Sequence, residues 1–235
     1  MAIDSKIFKT RALTAIVFAA IMLVGLLWKA ESFLILFTLI HFGSWYEFIK
    51  VIKKINSKTY GYYLPVGLLY ISFPILMMID IGFPNLNHYL YQTGYEDTFL
   101  YSPLFPCAII FSIWINDTMA YIVGSMIGKT PFSKISPKKT WEGVIGGALL
   151  CIIVITLLGY FIPAAKSIAW YHWAFIAAIC AVFGTLGDLL ESKLKRMANI
   201  KDSGTLMPGH GGFLDRFDSM LVATPFVWLY VKMVL

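Results

Sequence analysis

Two pairs of acids near the C-terminal end of the chain are spaced for joint chemistry. Asp188 and Glu191 stand three apart in GTLGDLLESKLKR, and Asp215 and Asp218 stand three apart in GGFLDRFDS. Positions three apart on a helix are surface neighbours, so each pair points to one side. Mg²⁺ prefers carboxylates, water and substrate phosphates, which makes Asp188, Asp215 and Asp218 candidate metal ligands and catalytic residues. Lys201 and Arg216 lie in the same stretch, KDSGTLMPGHGGFLDRFDS, and offset anionic charge. Pro208, Gly209, Gly211 and Gly212 would let backbone amides come close to a phosphate. His210 has no second histidine nearby and hard carboxylates around it, which favours a phosphate contact or a structural hydrogen bond over metal ligation. The plain alternative is a solvated turn with an aspartate cap, although turns seldom gather so many opposed charges.

Three further stretches carry polar groups into apolar surroundings. SPKKTWEG, Ser136–Gly143, sets two cations and two hydroxyls just before a helix start. Ser136, Thr140 and the first amides of that helix can bind anionic oxygens while Lys138 and Lys139 neutralise them. A positive anchor at the membrane edge explains the lysines but not the hydroxyls. Asp117 lies inside IIFSIWINDTMAYIVG, where an ionised acid is costly unless paired or facing a polar cavity. Either it forms a hydrogen-bonded helix contact with Asn116, or it belongs to a site. GSMIGKT, Gly124–Thr130, superficially suggests a phosphate loop, but only three residues separate its glycines and an apolar helix precedes it. Helix packing and a helix end explain those glycines better. Lys195 and Arg196 either face substrate or anchor a helix end.

The elements that must position these groups are membrane helices. Hydrophobic residues make up 59% of the chain against 14% charged, with a mean hydropathy of +0.74, more than a soluble core requires. A hydrocarbon core about 30 Å thick needs roughly 20 apolar residues per helix. Continuous apolar runs predict about seven spans, near Leu13–Trp28, Ser32–Ile49, Tyr62–Ile81, Leu104–Ile127, Val144–Ile162, Trp173–Leu190 and Met220–Leu235. The expected fold is all-α, a polytopic helical bundle forming one membrane domain over 1–235. Its N-terminal spans cover about 13–81 and its catalytic spans and loops about 104–235. The first run is too long for a signal-peptide core and is expected to stay in the membrane.

All but Lys29, Lys166 and Lys232 of the 19 lysines and arginines fall on one side of this arrangement. The positive-inside rule makes that side cytoplasmic, with the N-terminus inside and the polar segments at the cytoplasmic membrane edge. The net charge of +6 thus reflects loops facing anionic headgroups, and lipid and phosphate partners fit better than nucleic acid. The segment FPNLNHYLYQTGYEDTFLYSP has no lysine or arginine and reads as an outer interfacial cap, with His88 on its surface. Cys107, Cys151 and Cys180 all fall within spans, without metal or disulfide spacing, and read as packing residues.

The polar segments also resemble a known family. Ser192-Lys193-Leu194-Lys195-Arg196, then Lys201-Asp202-Ser203-Gly204, then Pro208-Gly209-His210-Gly211-Gly212-Phe213-Leu214-Asp215-Arg216-Phe217-Asp218 are similar to the signature of the phosphatidate cytidylyltransferases, with Met207 a mild departure. Asn116-Asp117-Thr118-Met119-Ala120-Tyr121 and Ser136-Pro137-Lys138-Lys139-Thr140-Trp141-Glu142-Gly143 resemble that family's other recurring segments. The resemblance implies transfer of the cytidylyl group of CTP to phosphatidic acid, with Mg²⁺ and a second cation such as K⁺. It implies catalytic roles for Asp188, Asp215, Asp218, Lys201 and Arg216, with the three aspartates as metal ligands. It implies substrate contacts from Asp117, Ser136, Lys138, Lys139, Thr140, Lys195, Arg196, Asp202, His210, Gly211 and Gly212. The expected partners are CTP, phosphatidic acid and membrane lipids, with no nucleic acid and a homodimer left open. The expected location is a bacterial inner membrane. A CTP-dependent lipid kinase of the polyprenol or phytol type is the alternative, and it would release CDP instead of pyrophosphate.

Overall fold

The computed structural model describes residues 5–84, 101–205 and 211–235, with side chains described from residue 12 onward. The described residues form seven long helical segments: α1 Ser5–Leu27, α2 Ala30–Ile55, α3 Tyr60–Gly82, α4 Leu104–Ile127, α5 Trp141–Phe161, α6 Trp170–Met197 and α7 Leu214–Val234. By length and composition α2 to α7 can each cross a membrane, and α1 adds the shorter apolar stretch Ala12–Leu27. The chain is an all-α integral membrane protein. Leu149, Ile153 and Leu157 of α5 are exposed, as are Leu39 and Phe42 of α2. In water these would be sticky patches; in a bilayer they are the surface that meets lipid tails.

Several helices outrun the apolar stretches that announce them. α2 continues past the expected end at Ile49 through Lys50, Lys53 and Lys54, and α6 continues past Leu190 to Lys195 and Arg196. Hydropathy falls where cations enter, yet backbone hydrogen bonding continues into the interface. α6 stops where Asn199 takes a left-handed conformation (φ 54°) and the Ile200 N–H returns to the Lys195 carbonyl, a helix end of the Schellman kind.

The described residues divide into two compact units, each discontinuous along the chain, and the divisions fall inside α3, α6 and α7. One unit joins the residues up to Ser72 with Leu194–Phe217. Within it α2 is tied to α3 through Ser72, whose Oγ lies 2.9 Å from both His41 Nε2 and Trp45 Nε1. Ser72 closes a π-helical segment, Leu68–Ser72, that immediately precedes the Phe73–Pro74 pair. Proline lacks the N–H that a regular helix would use there, and its ring crowds the preceding turn, so the backbone widens.

The second unit comprises Phe73–Lys193 and Asp218–Leu235. Asp80 near the end of α3 accepts hydrogen bonds from Trp228 Nε1 and Lys232 Nζ of α7, each at 2.7 Å. α4 and α5 approach closely through small residues, since a Cβ on Gly147 would lie 2.7 Å from the Ala120 backbone nitrogen. A Gly147→Leu variant is expected to lose about 1–3 kcal/mol of stability through overpacking against backbone, read as lowered thermal unfolding in detergent.

Candidate active site

The α4–α5 connection is built before it can bind anything. Phe132 N–H donates to the Lys139 carbonyl at 2.8 Å and Trp141 N–H to the Thr130 carbonyl at 3.0 Å, so the loop folds back on itself. The Glu142 carboxylate, in the first turn of α5, accepts the Lys129 and Thr130 N–H groups at 3.2 Å and the Thr130 hydroxyl at 2.8 Å. Thr140 caps α5, its Oγ1 accepting the Gly143 N–H at 3.2 Å. The Ser136 carbonyl accepts the Lys139 N–H at 3.1 Å. The SPKKTWEG stretch is therefore a stapled loop, with Lys138 and Lys139 carried on a fixed backbone.

That loop borders a cleft of about 430 Å³ within the second unit, lined by Asn116, Asp117, Lys138, Lys139, Thr140 and Asp188 among others. Groups far apart in sequence thus meet at one place: the intramembrane acid of α4, the loop lysines and the acid of α6. Lys139 Nζ is ion-paired with Asp188 Oδ2, and the Ser192 hydroxyl lies 3.3 Å from Asp188 Oδ1. Asn116 is 3% exposed and its Oδ1 has no hydrogen-bond partner among the described residues. Its Nδ2 reaches Asp117 Oδ1 only at 3.5 Å, at the limit of a hydrogen bond. A buried acceptor at a cleft wall favours a polar occupant.

Asp188 is also one of three clustered acids. Asp188, Glu191 and Asp218 each place a carboxylate oxygen within 4.8 Å of the other two. Glu191 is 1% exposed and Asp218 7%. What brings them together is the crossing of α6 and α7. A Cβ on Gly187 would lie 2.5 Å from the Asp218 carbonyl oxygen and 3.0 Å from Ser219 Cα, so only glycine allows this approach. Asp218 Oδ1 accepts the Ser219 N–H at 2.6 Å. An all-carboxylate donor set is hard and anionic, the kind of oxygen ligand that Mg²⁺ takes. These residues fit that ion.

Asp215 lies in the other unit and has different company. Its Oδ1 is 2.6 Å from Lys195 Nζ, a largely buried pair. Its Oδ2 accepts the Ser203 N–H and the Gly212 N–H, each at 2.8 Å, and lies 2.9 Å from the Ser203 Oγ. Gly211 adopts φ +85°, and a side chain there would run into the Asp215 carboxylate. In the described part of this loop the glycines thus make room for a carboxylate of the protein itself, and the Gly212 amide expected to meet phosphate is donated to Asp215. Arg196, Lys201, Asp202 and Arg216 are exposed around the same loop. Ser136 is half-buried outside the residues lining the cleft. Pro208, Gly209 and His210 lie outside the described residues.

Three acids escaped the site assignment made from sequence. Glu191 was visible only as a helical neighbour of Asp188, and Glu142 only as the tail of the lysine motif. Glu47, in the C-terminal half of α2, is 4% exposed and accepts the Ser203 hydroxyl at 2.6 Å and the Leu214 N–H at 2.9 Å. The signal for it is an acid near the end of the apolar run HFGSWYEFIKV, with Lys50 three residues on as its one local neighbour of opposite charge in that run.

Comparison with known proteins finds relatives along most of the chain. Residues 95–234 match the model of the cytidylyltransferase family. The chain is 37% identical over 164 residues to the phosphatidate cytidylyltransferase of Bacillus subtilis, a match covering 69% of this chain and 59% of that protein. It is 34% identical over 227 residues to the phosphatidate cytidylyltransferase of Rickettsia bellii, covering 93% of this chain and 88% of the relative. For that of Rickettsia felis the figures are 33% over 233 residues, 96% and 92%. The chain thus spans less than two thirds of the Bacillus protein but most of either Rickettsia protein.

The Lys195–Asp215 pair gives a direct test of this description. Removing one partner of a buried pair strands the other, at a cost of about 3–5 kcal/mol. Asp215→Asn and Lys195→Met are each expected to unfold at lower temperature in detergent, and the double variant to lose less than the sum of the two.

Proposed function

The chain belongs to the cytidylyltransferase family, and from that membership we propose that it transfers the cytidylyl group of CTP to phosphatidic acid, forming CDP-diacylglycerol and pyrophosphate. The observation that carries the proposal is the cleft in which Lys138, Lys139 and Thr140 face Asp117 and Asp188, with Glu191 and Asp218 beside Asp188. Both reactants are polyanions, so a site for them must gather cations and a divalent ion where their phosphates meet.

In this reaction an oxygen of the lipid phosphate forms a bond to the α-phosphorus of CTP. The bond from that phosphorus to the bridging oxygen of the β-phosphate breaks, and pyrophosphate leaves with the electron pair. The lipid supplies the nucleophile, so no protein group needs to carry the cytidylyl group covalently. Lys138 and Lys139 offset triphosphate charge and hold the reacting groups in register. Thr140 Oγ1 already accepts the Gly143 N–H, which leaves its proton to donate to an anionic oxygen. The unsatisfied Asn116 Oδ1 offers an acceptor to substrate or ordered water.

Asp188, Glu191 and Asp218 would hold Mg²⁺. When bound, Mg²⁺ supplies charge neutralisation to the triphosphate and to the departing pyrophosphate. Lys139 would then be shared between Asp188 and substrate, its position fixed by the stapled loop. Asp215 acts in this reading through Lys195 and the loop it organises, beside the exposed Lys201 and Arg216.

CTP stays in water and the acyl chains stay in the bilayer, so their phosphates must meet at a membrane edge. The cation distribution supports the cytoplasmic edge, with a cytoplasmic N-terminus, in a bacterial inner membrane.

Labelled CTP tests the proposal with purified protein, phosphatidic acid and Mg²⁺. Label at the α-phosphate is expected to enter the lipid fraction, and label at the γ-phosphate to leave as pyrophosphate. Entry of γ-label into lipid would instead identify a lipid kinase. A Lys139→Met variant is expected to lose roughly 10- to 100-fold in kcat/KM, the range for a hydrogen bond to a charged group.

A further inference from the structure

We infer that Glu47 is a positioning residue for this reaction, holding from α2 the loop that carries Asp215; the inference rests on the functional reading above. Glu47 lies outside residues 95–234, the segment that matches the family model. A carboxylate that is 4% exposed is costly to keep unless it has partners there. Its neighbours say what it does, because they come from one loop.

The Glu47 carboxylate accepts from the Ser203 hydroxyl at 2.6 Å and the Leu214 N–H at 2.9 Å. Gly204 and Gly212 close over it, since a Cβ on either would run into the carboxylate. One turn earlier on the same helix, Gly43 leaves the space that the Phe213 ring occupies. Both described ends of the loop, 203–204 and 212–214, are therefore moulded onto one face of α2. A buried acceptor that satisfies a hydroxyl and a backbone amide fixes geometry more narrowly than apolar packing can.

Ser203 passes that constraint on. Its Oγ stands between the two acids, 2.6 Å from Glu47 Oε2 and 2.9 Å from Asp215 Oδ2, and its N–H also donates to Asp215. Asp215 in turn holds Lys195. Displacing Glu47 would release Ser203 and Leu214 together, and through them the Asp215–Lys195 pair. Neither carboxylate oxygen of Glu47 needs to touch substrate for this to matter. A loss of about 1 Å in the placement of a charged group is enough to slow a reaction substantially.

The test compares Glu47→Leu, similar in size but without an acceptor, with Glu47→Gln, which keeps one oxygen able to accept both bonds. In Glu47→Leu, kcat per folded molecule is expected to fall roughly 10- to 100-fold with KM for CTP changed far less, and Glu47→Gln to recover most of it. Adding Ser203→Ala to Glu47→Leu is expected to cost little more, because both act through Asp215. Hydrogen exchange reads the placement independently of turnover: the Gly212 and Leu214 amides are expected to exchange at least about tenfold faster in Glu47→Leu while α4 and α5 amides keep their protection. Unchanged exchange at those two amides, wild-type kcat per folded Glu47→Leu molecule, or Glu47→Gln as impaired as Glu47→Leu would each overturn the inference. If the wild type makes no CDP-diacylglycerol, the functional reading fails, and the exchange result alone decides whether Glu47 holds the loop.

Discussion

Carboxylates inside an apolar helical protein must each find a cation, a set of N–H donors or a ligand, and this requirement organises the molecule. An ion in a low-dielectric interior loses several kcal/mol of hydration that only good partners restore. Asp80 is met by Trp228 and Lys232, Asp215 by Lys195 and the Ser203 and Gly212 amides, and Glu47 by Ser203 and Leu214. Asp188, Glu191 and Asp218 are set against one another, an arrangement that like-charge repulsion opposes and a divalent cation would favour. The first three cases build structure, and the last is the arrangement proposed here as a metal site.

Close backbone approach is the means by which these acids meet. Gly187 lets α6 and α7 cross at Asp218, and Gly147 lets α5 lie against Ala120 of α4. In the signature loop the same residue type serves a different end, because Gly204, Gly211 and Gly212 yield their side-chain space to Glu47 and Asp215. Van der Waals contact between small residues is the main attraction available between helices in lipid. A chain that uses glycine to bring helices together can therefore also use it to bring charges together.

Much of this was legible from residue types and spacing. The apolar runs located the membrane helices, and the acids of α6 and α7 stood out because such residues are rare in spans. SPKKT stands out as a candidate anion site through hydroxyls that a simple anchor does not need. The rest depends on long-range partners. Nothing local in HFGSWYEFIKV says that Glu47 will meet Ser203, 156 positions later in the chain. Asp215 and Asp218 share a spacing that suggested one role, but their neighbours differ: Lys195 and loop amides for the former, Asp188 and Glu191 for the latter. Glycines announce an absent side chain without telling whether a phosphate, a helix or a carboxylate fills the room.

The carboxylate trio is read most directly by titrating the purified protein with Mn²⁺ in place of Mg²⁺ and following bound ion by electron paramagnetic resonance. Wild-type protein should take up one ion per chain at this site, and Glu191→Gln should bind it at least about tenfold more weakly. A Glu191→Gln protein that holds Mn²⁺ as tightly as the wild type would contradict the assignment of Asp188, Glu191 and Asp218 as the place where a divalent cation binds.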